Sequence, residues 1–377
     1  MSQISNSVAI AKVETCVRAG FVICSFLAFA CFPSFTFAQP VQTQPGGQFR
    51  QPNLNSSQFS QPPQQQSSQP QQQEGQQQEQ QALPVGELPA FSGEDAYQDL
   101  IAICELGPRI SATEAMRQQQ EMIETRLVEL GAAVAYQRFN VVHPVNRQLV
   151  ELQNMIVRWH PERTKRLVIC CHYDTRPFAD RDPQNPQGEF LGANDGASGV
   201  ALLLELGKLI PHLEGAWGID FIFFDGEEFV FVNRRDPMFL GSTFFAQEYA
   251  AGRANGVYSY GILVDMVADK NLEIYYEQNS LKGAPRLARS IWAVAKELGH
   301  DEFTAKKRHK IKDDHIPMNS IAKIPTIDII DFDFPDKRSK NGYWHTQQDV
   351  PENCSAESLG IVGGVLAEWL IQLEQIR

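Results

Sequence analysis

Positive charge and cysteine are both in short supply. Across 377 residues, 33 Lys and Arg stand against 45 Asp and Glu, a net charge of −12 at pH 7. A nucleic-acid partner selects a basic patch or stripe, so that class of function is set aside, and acidity by itself speaks mainly to solubility. Of the seven cysteines, Cys16, Cys24 and Cys31 fall in the first 38 residues, leaving Cys104, Cys170, Cys171 and Cys354. Adjacent Cys170 and Cys171 point to opposite faces of a strand and cannot both serve one local bridge. The Cys-x-x-Cys spacing that a cysteine-built zinc site wants does not occur. A Cys104–Cys354 disulfide is the pairing left open.

Apolar side chains are nearly missing from residues 39–85, which are almost wholly Gln, Pro, Ser and Gly around the run QPPQQQSSQPQQQEGQQQEQQ. Such a segment cannot offset the entropy of ordering, so it reads as a disordered tether. Before it, Lys12 and Arg18 precede an apolar stretch over 19–38, with Thr36 and Ala38 where a signal peptidase reads before Gln39. Residues 1–38 therefore read as a secretory signal peptide, and the protein as exported, periplasmic or secreted. An uncleaved membrane anchor is the alternative; Pro33 inside the run and the lack of a charged stop after it argue against that. A lipoprotein site at Cys31 fits poorly with Ala28 and Phe29.

What is there begins at about residue 86. The remaining chain, 86–377, alternates helical and strand patterns with no linker-like interruption, and reads as one domain. Helical spacing appears over 94–106, 112–130, 197–210, 242–251, 284–298 and 356–373. Strand-like runs appear over 133–140, 151–159, 166–172, 219–224, 260–265, 272–276 and 326–330. Apolar strands alternating with helices predict an α/β fold with a mixed, largely parallel central sheet flanked by helices on both faces.

In such sheets ligands gather beyond the carboxyl ends of the strands. There the sequence places His172 and Asp174 after one strand, Asp225, Glu227 and Glu228 after FIFF, and Asp265 closing GILVD. The loop LGANDGASG adds Asp195, its glycines allowing a tight turn, and YWHT adds His345. Together His172, Asp195, Glu228, Asp265 and His345 form a nitrogen and carboxylate-oxygen set of the kind zinc accepts, with Glu227 left over. Each has a plainer reading: Asp195 as a helix N-cap, the glutamate pair as a solvated turn, His345 as a surface histidine, His-x-Asp as a structural pair. Their co-occurrence at successive strand ends favours the ligand reading. Two adjacent carboxylates can also divide the work, one ligating and one moving protons.

HYDTRPFADRDP, GANDGASGVALLLEL, FFDGEE, LGS, DDHIP and WHTQQD, in this order and spacing, resemble the zinc aminopeptidase superfamily. Within it the chain is similar to the animal-type glutaminyl cyclases, or glutaminyl-peptide cyclotransferases, and their bacterial relatives. The resemblance covers roughly residue 94 to the C-terminus; Asp313-Asp314-His315-Ile316-Pro317 with Trp344-His345 favours the cyclases. It implies one zinc on Asp195, Glu228 and His345, with Glu227 as proton shuttle, Asp265 and Asp313 as its acidic partners, and Trp344 walling the substrate pocket. In the peptidase branch His172 and Asp265 would help hold a second metal, Asp174 orienting His172. The implied activity is conversion of the N-terminal glutamine of peptides or proteins to pyroglutamate with release of ammonia. A two-zinc aminopeptidase is the alternative, and a noncatalytic binding ectodomain the third reading. The chain departs from the animal pattern in two places. Asp328 in PTIDII stands where those enzymes carry histidine, and Phe231, Val232 and Asn233 lie where a pocket tryptophan is expected. The loop DFPDKRSKNGY before Trp344 is also longer and is expected to shape substrate entry.

Overall fold

A computed structural model describes residues 88–253, 256–335 and 342–375. The expected signal peptide and the whole of the expected Gln/Pro tether, residues 39–85, lie outside the described residues. The chain enters through helices α1 (Gly93–Glu105) and α2 (Glu114–Glu129). Each starts at a hydroxyl cap: Ser92 accepts from the Asp95 N–H and Thr113 from the Met116 N–H, satisfying amides that the first turn leaves free. Strands β1 (Ala133–Val142), β2 (Leu149–Trp159), β3 (Lys165–His172), β4 (Trp217–Phe224), β5 (Val257–Asp265), β6 (Ile274–Glu277), β7 (Phe303–Arg308) and β8 (Thr326–Ile330) follow. Between them come α3 (Ser198–Leu206), α4 (Leu240–Ala250), α5 (Gln278–Gly283), α6 (Pro285–Leu298) and the single turn α7 (His315–Pro317), and α8 (Ala356–Gln375) closes the chain.

Six strands form the main sheet in the order β1-β2-β4-β3-β5-β8. The β1–β2 and β2–β4 pairings are antiparallel; β3–β4, β3–β5 and β5–β8 are parallel. The sheet is mixed and largely parallel, in a single α/β domain. Helices cover both faces, which is why β4 is buried at every position. Alternation divides its side chains: Ile169, Cys171, Phe221 and Phe223 pack under α1, α3 and α8, whereas Val168, Cys170, Ile222 and Phe224 pack with Phe245 and Ala246 of α4. All four described cysteines are buried free thiols, so the Cys104–Cys354 bridge is not formed. Helix α8 is long and apolar enough to cross a membrane, yet Leu359, Val362, Val365, Leu366 and Leu370 bury one side of it in the core.

The expected strand over 272–276 is only partly met. Residues 274–277 pair in parallel with β7 in a separate two-stranded sheet. The expected helix over 197–210 is also interrupted: an irregular turn, Ala193–Ala197, precedes α3, and a 3-10 turn, Ile210–His212, follows it.

Candidate active site

Parallel register brings the strand ends level. His172 lies opposite Phe224, and Cys170 opposite Leu263, so His172, the turn after Phe224 and Asp265 share one edge. After Phe224 the chain reverses through Asp225-Gly226-Glu227-Glu228, with Gly226 at φ +75°, a conformation side chains with a Cβ rarely adopt. The Asp174 carboxylate fixes that turn by accepting the Glu227 N–H at 3.1 Å, the Glu228 N–H at 3.0 Å and the Ser111 hydroxyl at 3.2 Å. In the peptidase branch Asp174 is expected to orient His172. The contact runs through its backbone carbonyl, 3.1 Å from His172 Nδ1, while its carboxylate is 4.0 Å away and serves the glutamates.

Asp195 is presented by the turn 193–197. Gly196 at φ +108° would carry a Cβ 3.2 Å from the Asp174 carbonyl oxygen and 3.4 Å from His172 Cε1; a Cβ on Gly192 would sit 2.5 Å from the Asp195 carbonyl. Glycine is therefore required at both places. Asp349 holds the turn from below, its carboxylate accepting the Asn194 N–H at 2.6 Å and the Asp195 N–H at 3.1 Å. With its backbone so tied, the Asp195 side chain is left to face the two histidines. His172 Nε2 is 3.2 Å from Asp195 Oδ1 and 3.2 Å from Asp265 Oδ1. His345 Nε2 is 2.9 Å from Glu228 Oε1 and 3.3 Å from Asp195 Oδ2.

Two buried trios result, His172–Asp195–Asp265 and Asp195–Glu228–His345, each with ligand atoms all within 4.8 Å of one another. The chemistry of this donor set fits a divalent cation. Asp195, Glu227, Glu228, Asp265 and Asp313 crowd five carboxylates into one buried site. His345 turns its other nitrogen, Nδ1, toward Asp180 Oδ1 at 3.3 Å, which directs Nε2 into the site. Arg176 reaches both Glu228 and Asp180.

Electrostatics separates the neighbouring glutamates. Burial and the charge of Glu228 push the Glu227 carboxyl well above the usual range. Burial would raise Glu228 too, but His345 and Arg176 overcome it and hold that carboxyl low. Asp313 is raised well above the usual range by burial and by Asp265. Burial opposes a charge on His345, yet Glu228, Asp180 and Asp195 bring it up to about 10. The site thus contains an ionised carboxylate of ligand character beside a carboxyl suited to holding a proton.

Trp344 closes one side, its ring 4.1 Å from that of His345 and 4.8 Å from that of Phe332. Phe231 folds away, against Phe229 at 5.2 Å and His143 at 4.5 Å. Asp328 is likewise apart from both trios, with His315 Nδ1 3.6 Å from its carboxylate. His172, Asp195, Glu228, Asp265 and His345 are brought together as the sequence suggests, with Glu227 next to Glu228. Asp180, Arg176 and Asp349 were not anticipated as site residues. Their signal lay in the HYDTRPFAD and WHTQQD runs, four positions from Arg176 to Asp180 and four from His345 to Asp349.

Several known proteins are similar to this chain. Glutaminyl cyclase from Fimbriiglobus ruber is 34% identical in a solved structure, with a TM-score of 0.70, the match covering 77% of this chain and 99% of that one. A Zn-dependent exopeptidase from Parabacteroides distasonis is also 34% identical, with a TM-score of 0.69, covering 76% and 99%. Glutaminyl-peptide cyclotransferase of Gloydius blomhoffii is 28% identical over 251 residues, 58% of this chain and 65% of its own length, so the chain spans just under two thirds of that relative. The model for Peptidase family M28 matches residues 154–370, more than half the chain and every candidate ligand described above, and the chain belongs to that family.

Proposed function

We propose that the chain is a zinc-dependent glutaminyl-peptide cyclotransferase, converting the N-terminal glutamine of a peptide or protein to pyroglutamate with release of ammonia. The observation that carries this reading is Asp313. A hydrolase needs ligands and one base, whereas here a further buried carboxyl lies beside Asp265 and bears on Glu227. Three acids so placed suit a substrate whose own amine must be held and deprotonated. Asp195, Glu228 and His345 would hold the zinc, which as a Lewis acid draws electron density from a carbonyl oxygen.

The residues of the chain supply the rest. Asp265 and Asp313 hold the α-amine in line with the side-chain amide carbon of the same glutamine. Glu227 takes a proton from that amine as its nitrogen forms the new bond to carbon. It then returns the proton to the amide nitrogen as the old carbon–nitrogen bond breaks, and ammonia leaves. Trp344 and Phe332 wall out water, whose attack would give glutamate instead. The leader-like first 38 residues support an exported enzyme acting on peptide or protein N-termini.

A second reading has a specific observation in its favour. The trio His172–Asp195–Asp265 is intact and shares Asp195 with the other, an arrangement that two zinc ions in an aminopeptidase would use. A peptide beginning with glutamine separates the two. The cyclase releases ammonia and leaves a peptide of the same number of residues with a ring at its N-terminus; the peptidase releases free glutamine. Release of glutamine without ammonia would overturn the proposal.

A further inference from the structure

The candidate ligands and the proton-handling acids are buried and acidic, but the surface beside them is not. Trp344 runs from His345 toward solvent, and the guanidinium of exposed Arg181 lies 4.0 Å over its ring. The Arg181 N–H donates to the His345 carbonyl at 3.1 Å, which ties this cation to the loop that carries a ligand. Phe332 continues the aromatic wall, and the ring of His309 meets it at 5.5 Å. His309 belongs to the run Lys306-Lys307-Arg308-His309-Lys310-Ile311-Lys312, which contains no acid and leads straight into buried Asp313.

Within this run Arg308 and His309 are occupied by Asp333, at 2.9 and 3.1 Å. Lys310 and Lys312 are exposed, and among the described residues no carboxylate lies within 4.0 Å of either of them or of Arg181. A chain of net charge −12 thus keeps unpaired cations on two separate segments that meet one aromatic wall. The first residue of a substrate ends at Glu227, Asp265 and Asp313, and each further residue spans at most about 3.5 Å. Arg181 stacks on Trp344 and Lys312 adjoins Asp313 in the chain, so a second or third residue laid across Trp344 and Phe332 comes within reach of these cations.

We propose that Arg181, Lys310 and Lys312 form a specificity rim that selects peptides with an acidic residue at the second or third position. This rests on the cyclase reading for the identity of the first residue, but not for the sign of the preference. Arg181 offers a planar fork suited to a carboxylate, while the lysines act as point charges. The contacts are exposed, so each is weak and together they change rates modestly.

The test compares kcat/KM for two peptides that begin with glutamine and differ at the second residue, glutamate against lysine. For the intact protein at low salt, the glutamate peptide is expected to be favoured by about three- to tenfold, the scale of a few exposed ion pairs. Arg181→Gln combined with Lys310→Gln and Lys312→Gln should bring that ratio near one. Salt near 1 M, where screening acts within roughly 3 Å, should do the same to the unmodified protein without any mutation. A ratio near one at low salt, or a ratio that survives both salt and the triple variant, overturns the rim. Ammonia and free glutamine are measured in the same reactions. If glutamine appears in place of ammonia, the cyclase reading fails while the ratio still reports on the rim. If neither is released, calorimetric binding of the same two peptides to the zinc-loaded protein gives the ratio directly.

Discussion

The neighbours Glu227 and Glu228 differ by what surrounds them, and that difference can be tested residue by residue. Glu228 sits between His345 and Arg176, whereas Glu227 has a charged neighbour in Glu228 and buried surroundings. Glu227→Gln preserves size and leaves the proposed ligands alone, so zinc content should be unchanged. Removal of a positioned general base typically lowers turnover by about a hundred- to ten-thousand-fold, with KM altered far less, since the interaction matters mostly in the transition state. Near-normal turnover in the zinc-loaded variant would remove Glu227 from the mechanism. Chelation should abolish activity and added zinc restore it, and His345→Ala or Glu228→Gln should lower zinc occupancy. With one zinc per chain, His172→Ala should cost less activity than His345→Ala; mass spectrometry of the metal-loaded protein gives the count. Two tightly held ions and equal losses at the two histidines would instead support the peptidase reading.

At the scale of elements, periodicity was legible and hydrogen-bond partnership was not. The parallel strands β3, β4, β5 and β8 are apolar runs because both their faces are covered, and their ends foretold where the site residues would meet. Strand β7 left no such trace: half of FTAKKR is exposed, and only Phe303 is buried. Asp174 and Asp349 were equally hidden as supports, because a carboxylate that accepts backbone N–H groups has no periodic signature. Glu277 is of the same kind, at the junction of β6 and α5. It accepts the N–H groups of Asn279, Ser280 and Ile311 and the Ser280 hydroxyl, and lies 3.5 Å from His315 Nε2. Burial would raise its carboxyl, but His315 and the backbone donors bring it down to about 2 from an ordinary 4.5. A depressed pKa means stability present above the ordinary value and lost as pH falls through the folded one. Glu277→Gln should therefore destabilise the fold at neutral pH by about 1–3 kcal/mol, as loss of a buried charged acceptor does. The gap to the unmodified protein should narrow as pH falls below 4.5 toward 2. Urea midpoints across that range read it, and a gap independent of pH would mean that Glu277 does not carry the charge assigned to it.

On the scale of the whole molecule, the described domain is closed by its own ends. Helix α1, near the start of the described residues, packs on α8 at their end, and the approach is close because both partners are glycine: a Cβ on Gly93 would lie 2.2 Å from the Ala356 carbonyl oxygen and 2.8 Å from Gly360 Cα. Polar contacts fasten α1 to its other neighbours, with the Ser92 N–H donating to Glu205 of α3 at 3.1 Å and the Tyr97 hydroxyl to the carbonyl of Pro351, in the turn before α8, at 2.8 Å. Among the described residues, every buried core residue and every candidate site residue lies between Ala96 and Leu370, and the Gln/Pro-rich composition of residues 39–85 offers few apolar side chains to add to them. Two variants then have opposite expected outcomes. A chain beginning at residue 86 should keep the melting temperature, zinc content and kcat/KM of the full chain. Gly93→Ala should force backbone apart at the seam, an overpacking that costs about 1–3 kcal/mol and lowers Tm by roughly 2–4 °C per kcal/mol for a domain of this size. Its kcat/KM below the transition should stay normal, because the seam lies on the helical layer and not at the strand ends that carry the site. Calorimetry and steady-state rates on the two proteins decide the matter: loss of activity or stability on truncation would place the leading segment inside the working structure, and an unchanged Tm in Gly93→Ala would show that α1 and α8 do not meet as closely as described.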